Sequence, residues 1–570
     1  MSARQRRRRL RRRKDAAGQT SGRRKRILAG AGLTLGVGLG LSSSAQAAVQ
    51  TFTVGSTADT ATASDCATPT NTDCTLRDAI IASNADANPS DQDVIVFASA
   101  ITGSANTITL TANPPTIKQS LWIQGPGTDP GDSAITIDGD ASYRDIFAVP
   151  GGNYAMDLKV SGLTLTNGAA NGGGAGISIY FAYPHTDYPQ PTLTVQDSEV
   201  SGNTGNDGAG IHGTRATIDI ENSVISENTA HGLSSGAGGA GVYLFPGLGG
   251  TLTIDHSTIS DNTANGDNGR GGGVHSTAPT TIQNSTISGN HTTGEHATGG
   301  GVELDGPATI ENSTITENYT DGQYASGGGV SVGALNSLTM DNTTIYANST
   351  DGTDASGGGL ASNASAGPTI TDSTIFNNYS YVNGGGIYAN DDDPEMTLNN
   401  TIVSGNRLNG LGPDLYSPNE TFQAAFSLIG DPSDATINAT VAGSNLTGVD
   451  PLLEELQDNG GPTFTNALPA SSPAVDAGSS ASVLDQRGLL RPVAQGTARS
   501  TAAGANCADI GAFELQVSGG GPGATCHQSP APPAPPAAPP TPTQTKKCKK
   551  KKHKSSAQTA KKKCKKKKKR

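Results

Sequence analysis

The chain has 570 residues, of which 34% are hydrophobic and 4% aromatic, and its formal net charge is −11. That apolar content is too low for ordinary globular cores throughout, so either much of the chain is disordered or a repeat spreads a thin core along an axis. The charge is segregated, because 13 Lys and Arg precede Ala48, 16 lie from Lys546 onward, and acidic residues predominate between them. An acidic body with basic ends bears on solubility and partners rather than on fold.

Residues 1–47 have the pattern of a signal peptide. Two basic clusters precede the apolar run Ile27–Leu41, and small residues in an A-x-A pattern end at Ala47. This order predicts export with cleavage after Ala47, and therefore an extracellular or cell-surface location. A membrane anchor fits less well, because the apolar run is short and interrupted by glycines. Arg23-Arg24 leaves a twin-arginine signal open, although the residues that follow fit that pattern poorly.

Residues 48–150 are predicted to form an N-terminal cap with the first strands. Cys66 and Cys74 lie in a short acidic loop, and an exported protein favours a disulfide between them. The segment after Cys74 has apolar residues at helical spacing, which predicts a short amphipathic helix over the first winding. Caps are expected at both ends, because an open β-helix would otherwise expose strand edges.

Residues 151–430 contain a repeat in which the string I-x-x-N returns every 25 to 34 residues, with a glycine cluster and an aliphatic residue between copies. Short alternating segments without helical periodicity predict an all-β chain, a single-stranded right-handed parallel β-helix with three short strands per winding. The repeated aliphatic residues are predicted to stack inside it. They are Val200, Ile225, Ile259, Ile287, Ile315, Ile345, Ile375 and Val403.

The repeated asparagines are predicted to form a second column at a turn. Asparagine tolerates positive φ, and its side-chain amide can hydrogen-bond to the next winding, whose equivalent residue lies about 4.8 Å away. The members are Asn203, Asn228, Asn262, Asn290, Asn318, Asn348, Asn378 and Asn406.

Two regions outside the repeat resemble known families. The run from Asp73 to Ile80, D-C-T-L-R-D-A-I, resembles the CSLREA motif of bacterial secreted β-helix proteins, and residues 431–515 resemble the choice-of-anchor Q domain. The repeats are similar to those of polymorphic outer membrane proteins, with Ile in place of the usual Phe. Together the resemblances cover residues 65–515 and imply an extracellular or surface-attached β-helix protein, without implying a reaction. The matching C-terminal segments are Asp450–Leu453, Asp458–Thr463, Ser472–Gly478, Asp485–Gly488 and Asp509–Glu514.

Beyond this region, residues 516–545 form a Pro-rich linker and residues 546–570 a polybasic tail. Cys507 and Cys526 flank the end of the body and are a second candidate disulfide. The tail is predicted to be disordered, because its lysines repel each other and it holds almost nothing apolar. We expect it to bind envelope polyanions such as wall polymers or anionic lipid headgroups, with no specific nucleic acid. A solvated tail with no single target is the alternative.

A polysaccharide lyase or glycoside hydrolase on the same scaffold is the rival function. The candidate catalytic residues are Asp391, Asp392 and Asp393, an acidic cluster of the kind that serves acid/base chemistry or calcium binding. The cluster precedes Pro394 in a predicted turn, however, and a solvated loop accounts for it better.

A metal site is weakly indicated at His291, Glu295 and His296. These residues lie in a variable loop without a third spaced His or Cys, so a solvated loop again accounts for them better. Apart from calcium at the acidic cluster, the sequence indicates no cofactor.

The loops between each asparagine and the next glycine cluster are predicted to emerge on one flank. Thr320–Tyr324, Ser349–Asp354 and Tyr379–Tyr381 present hydroxyls, carboxylates and tyrosines that suit weak carbohydrate or protein contacts. The sequence therefore predicts a secreted or cell-surface monomer with an adhesive, carbohydrate-binding or structural role, retained at the envelope by its tail.

Overall fold

The computed structural model describes residues 49–516, apart from short internal gaps. The predicted signal peptide, Asp391–Asp393, Cys526 and the tail lie outside the described residues. The gaps fall at residues 63–65, 69–70, 86–90, 103–105, 128–134, 143–144, 151–155, 181–188, 233–237, 246–248, 334–336, 391–394, 410–412 and 497–499.

The chain winds into a right-handed parallel β-solenoid of about 10 turns, which confirms the predicted fold class. Its strands form parallel ladders, here named A, B, C and D. Ladder A consists of β1 (Thr51–Val54), β2 (Asp93–Phe97), β4 (Leu121–Gln124), β7 (Asp157–Ser161), β10 (Thr192–Gln196), β14 (Thr217–Glu221), β18 (Thr251–Asp255), β22 (Thr280–Gln283), β26 (Ala308–Glu311), β30 (Leu338–Asp341), β34 (Thr369–Thr371), β38 (Thr397–Asn399), β40 (Leu415–Ala425) and β42 (Asp434–Ala439).

Ladder B follows ladder A within each winding. Its strands are β3 (Thr107–Thr109), β5 (Ile135–Asp138), β8 (Leu163–Thr166), β11 (Glu199–Ser201), β15 (Val224–Ser226), β19 (Thr258–Ser260), β23 (Thr286–Ser288), β27 (Thr314–Thr316), β31 (Thr344–Tyr346), β35 (Thr374–Phe376), β39 (Ile402–Ser404), β41 (Leu428–Ile429) and β43 (Leu446–Thr447).

Ladders D and C complete the winding in that order. Ladder D contains two-residue strands: β12 (Thr204–Gly205), β16 (Thr229–Ala230), β20 (Thr263–Ala264), β24 (His291–Thr292), β28 (Tyr319–Thr320), β32 (Ser349–Thr350) and β36 (Tyr379–Ser380). Ladder C contains β6 (Phe147–Pro150), β9 (Ile177–Tyr180), β13 (Ile211–Thr214), β17 (Val242–Phe245), β21 (Val274–Ser276), β25 (Val302–Leu304), β29 (Val330–Val332), β33 (Leu360–Ser362) and β37 (Ile387–Ala389). The long strand β40 pairs with both β37 and β38 and so joins ladders A and C.

The predicted aliphatic stack runs along ladder B in unbroken register. Ile225 pairs with Ile259, Ile259 with Ile287, and Ile287 with Ile315, and the pairing continues from Val200 at one end to Val403 at the other. All eight side chains are buried in one core. Each unit therefore buries its apolar face only against its neighbours, as expected of a solenoid.

The predicted helix is present as α1 (Leu76–Ser83), between β1 and β2. Thr75 and Asp78 form a capping box at its start, and Leu76 and Ile80 are buried in the core. Arg77 pairs with Asp59 at 2.8 Å. The motif that resembles CSLREA thus fixes this helix over the first winding.

The C-terminal region contacts the side of the rod as well as completing its last windings. β40 to β43 complete the last windings, and residues 450–516 then fold back along the outer face of ladder B. We call residues 450–516 the clasp; it includes the antiparallel pair β44 (Leu456–Gln457) and β45 (Thr465–Asn466). Its apolar residues pack on Ile402 and Leu428. The clasp covers the outer face of ladder B, where the side chains of Thr314, Thr344 and Thr374 are buried.

The last strand of ladder A, β42, is an exposed edge strand. It presents polar residues, which disfavours edge-to-edge association.

Candidate functional site

The eight repeated asparagines form one continuous, fully hydrogen-bonded column. In the middle of it, Asn290 donates from Nδ2 to Asn318 Oδ1 and to the carbonyl oxygen of Ile259, each at 2.9 Å. Its own Oδ1 accepts from the backbone nitrogen and Nδ2 of Asn262, at 3.1 and 2.9 Å. The column ends at Asp414, whose Oδ1 accepts from the backbone nitrogen and Nδ2 of Asn406. Burial raises the pKa of Asp414 to about 6.

Positive φ, the expected reason for asparagine at this turn, is wrong for the column. The left-handed conformation falls one residue earlier, as at Glu227, Asp261 and Gly289, and the column asparagines lack it. Their role is the hydrogen bonding itself together with a close approach by glycine. A Cβ on Gly273 would lie 2.7 Å from the carbonyl oxygen of Gly301 and 2.9 Å from Cγ of Asn290. The glycine clusters therefore make room for the asparagines of the next winding.

Of the two predicted disulfides, that between Cys66 and Cys74 is confirmed, with a Cα–Cα distance of 5.2 Å. Cys507 is also disulfide-bonded. Since Cys526 lies outside the described residues, its pairing with Cys507 stays a prediction.

The segments that resemble the choice-of-anchor Q domain meet in a buried polar network that holds the clasp on ladder B. Arg491 contacts Glu514 at 3.1 Å and Asp372 of the solenoid at 3.3 Å. Gln486 donates to the carbonyl oxygen of Ser313 and accepts from the hydroxyl of Thr344. These side chains are therefore engaged in attaching the clasp.

Two carboxyl groups of this network, those of Asp509 and Glu514, have raised pKa values. Burial, followed by the nearby Glu514 carboxyl, raises the pKa of Asp509 to about 8, and burial also raises the pKa of Glu514. Two adjacent buried carboxyls cannot both ionise cheaply, so at neutral pH the pair retains a proton.

The predicted loop flank lies along ladder D. His291, Tyr319, Ser349 and Tyr379 follow one another in register on adjacent windings. The ring of His291 stacks on Tyr319 with centroids 3.9 Å apart, and the ring of His296 stacks on Tyr324 at 5.0 Å. We call His291, His296, Tyr319 and Tyr324 the aromatic patch. Tyr319 and Tyr324 are 36% and 49% exposed.

The aromatic patch also accounts for the histidines considered as metal ligands. His291 Nε2 lies 2.9 Å from Asp321 Oδ2. Burial lowers the pKa of His291, while the Asp321 carboxylate acts to raise it. Within the described ranges no group of three or more His, Cys, Asp or Glu side chains is placed to hold a metal ion.

A second polar cluster lies on the outer face of ladder C. His212, Tyr243, His275 and Glu303 occupy the same register position on four successive windings, and we call them the ladder C row. Tyr243 lies between the two imidazoles, with centroids 5.5 Å from His212 and 5.0 Å from His275. Asp305 contacts His275 at 3.2 Å and Arg270 at 2.7 Å. In this row the residue type that follows the glycine-aliphatic pair varies from winding to winding.

The ladder C row contains unsatisfied buried polar atoms. Glu303 is 3% exposed, and its Oε2 has no hydrogen-bond partner. The buried Nδ1 atoms of His275 and His212 also have no hydrogen-bond partner. Burial and the Asp305 charge raise the pKa of Glu303. Burial acts to raise the pKa of Asp305 too, but the hydrogen bond from His275 and the charge of Arg270 outweigh it and lower this pKa. The two carboxyl groups are thus driven in opposite directions, a pattern common at functional sites.

No helix among the described residues is both long and apolar enough to cross a membrane. A family described as "Right handed beta helix region" matches residues 272–447, which supports the β-helix scaffold. No curated protein matches the chain. No solved structure matches it either.

Proposed function

We propose that the protein is an exported β-helix that binds neutral polysaccharide through the aromatic patch and is retained at the envelope by its polybasic tail. The observation that carries the binding function is the pair of stacked His–Tyr contacts on two adjacent windings. Each stacked contact covers one face of Tyr319 or Tyr324, and the parts of these rings that stay exposed can contact a sugar ring, with the hydrogen-bonding groups of Asp321 and Gln323 beside them. The surrounding acidic surface disfavours acidic sugars.

Substitution of Tyr319 and Tyr324 by alanine should weaken polysaccharide binding. We expect the protein to be retarded by neutral xylan or mannan in affinity electrophoresis and to pass polygalacturonate unretarded. The double substitution should reduce the association constant at least about tenfold, because the contacts of two partly exposed aromatic rings are lost. Tyr388→Ala, on ladder C, is the matched control and should bind normally. Equal retardation of the double variant, or preference for the acidic polymer, would contradict the proposal.

A second candidate function, glycosidic-bond hydrolysis, is favoured by the ladder C row. In this proposal Glu303, whose pKa burial raises, donates a proton to the glycosidic oxygen, and Asp305, whose pKa is lowered, takes a proton from the water that attacks the anomeric carbon. Because Glu303 is 3% exposed, a substrate reaches it only if the outer side of the ladder C row opens. Arg270 is 48% exposed at the outer side of this cluster, where a substrate would first make contact.

This candidate is tested by following release of reducing ends from the same neutral polymers. Glu303→Gln should abolish release and leave the fold intact, because glutamine resembles the protonated acid that burial favours. Glu295→Gln, in a surface loop, is the control and should remain active. If the native protein releases no reducing ends, or the Glu303 variant retains activity, hydrolysis at this site is excluded.

A further inference from the structure

One turn of the clasp exposes four large apolar side chains. Val483, Leu484, Leu489 and Leu490 are 70%, 43%, 40% and 69% exposed, and we call them the leucine knob. They lie on two short segments that pair with each other. Leu484 forms an antiparallel bridge with Leu490, and the backbone nitrogen of Arg491 donates to the carbonyl oxygen of Val483 at 3.0 Å. The pairing places Leu484 and Leu490 side by side, with Val483 and Leu489 next to them in the chain.

In the turn between these segments the polar residues are buried and the apolar residues are exposed, which is the reverse of the usual arrangement. Asp485 and Gln486 are almost fully buried, and Arg487 is buried against Asp485 with an ion pair of 2.6 Å. The buried polar contacts fix the turn while the apolar residues face solvent. Scattered exposed leucines need no explanation, whereas exposed apolar residues held by a fixed turn are a candidate interaction site.

The charge of the chain indicates what this surface meets. At the end of the described chain, Gln516 donates from Nε2 to the carbonyl oxygen of Leu490 at 3.1 Å. The sequence that continues from this point contains the Pro-rich linker and then 16 Lys and Arg with no acidic residue. The strongly basic segment therefore follows, after the Pro-rich linker, a chain end that lies beside this apolar group. Its partner must combine an apolar phase with negative charge.

We propose that the leucine knob inserts into an anionic lipid surface while the polybasic tail binds the headgroups of the same surface. A wall polymer would satisfy the lysines but offers no apolar phase for the leucines. Neither contact is strong alone, and stable attachment to a bilayer surface generally needs two such signals. The inference rests on the proposed retention by the tail and adds a second, apolar contact to it.

The test is co-sedimentation of the exported chain, residues 48–570, with vesicles of phosphatidylcholine containing about one third phosphatidylglycerol. We expect binding that weakens with salt, and a loss of at least about tenfold in Leu484→Ser/Leu490→Ser, because two leucines no longer leave water. Phe245→Ser, an exposed apolar residue on ladder C, should bind like the native protein. Since the substituted leucines are exposed, thermal unfolding should be unchanged.

Three outcomes would overturn the knob's role. The double variant could bind the anionic vesicles as well as the native chain does, so that charge alone suffices. The native chain could fail to bind them. It could also form a dimer in solution that the double substitution dissociates, which would make the knob a contact between copies. Deletion of residues 546–570 is scored separately in cells: continued envelope retention would refute the tail's role, whatever the vesicles show.

Discussion

Replacing Asn290 by alanine is expected to lower the free energy of unfolding by about 3 to 5 kcal/mol, since several buried polar groups lose their partners at once. The backbone nitrogen and Nδ2 of Asn262 would lose their acceptor, and the carbonyl oxygen of Ile259 would lose its donor. Water cannot replace these bonds, because the column is fully buried. The measurement is urea unfolding followed by far-ultraviolet circular dichroism.

Two further variants show whether the column itself is responsible. Asn363→Ala, at an exposed position, should change the free energy of unfolding by less than about 0.5 kcal/mol. Asn290→Asp keeps an acceptor but loses the Nδ2 donor and places a charge in the core, so it should be at least as damaging as alanine. A loss below about 1 kcal/mol for Asn290→Ala would mean that the column contributes little.

Replacing Arg491 by methionine is expected to release the clasp. The side chain is fully buried, and its removal leaves Asp372 and Glu514 without their counter-charge and Asn342 Oδ1 without its donor. Breaking a buried ion pair from one side costs about 3 to 5 kcal/mol. Hydrogen exchange should report lost protection in residues 463–514, while windings before Asn290 stay protected.

The effect should depend on pH in a direction set by the carboxyl groups. Lowering the pH from about 8 to about 5 protonates Asp509 and Glu514 more fully, which removes part of the uncompensated charge and should reduce the deficit of the Arg491→Met variant. Arg407→Met, at an exposed position, is the control and should leave the clasp protected. Unchanged exchange in residues 463–514 of Arg491→Met would show that these ion pairs do not hold the clasp.

The repeat was predictable because the same residue type serves the same position in every winding. Ile259 and Ile287, and Asn262 and Asn290, recur with their neighbours, so spacing alone indicates that they stack. The disulfide between Cys66 and Cys74 followed from their short separation in an exported context. Even here the reason offered for asparagine was incomplete, since positive φ falls on the preceding residue.

Contacts between unlike residues could not be read from spacing. Arg491 meets Asp372 across more than a hundred residues, and nothing periodic links the two. The ladder C row shares a register position, but His275 and Glu303 differ in chemistry, so a search for repeated residues passes over them. Reading the residue after each glycine-aliphatic pair down successive windings would have found this row.

The clasp also constrains how such a rod can change its length over evolution. Its contacts run from Asn312 and Asn342 to Asp372 and Asn400, so they match four particular windings in a fixed order. An inserted or deleted unit among these four would shift one half of the clasp by a whole strand spacing. Units between Asn203 and Asn290 carry no such constraint, so duplication there would lengthen the protein and leave its C-terminal attachment unaltered.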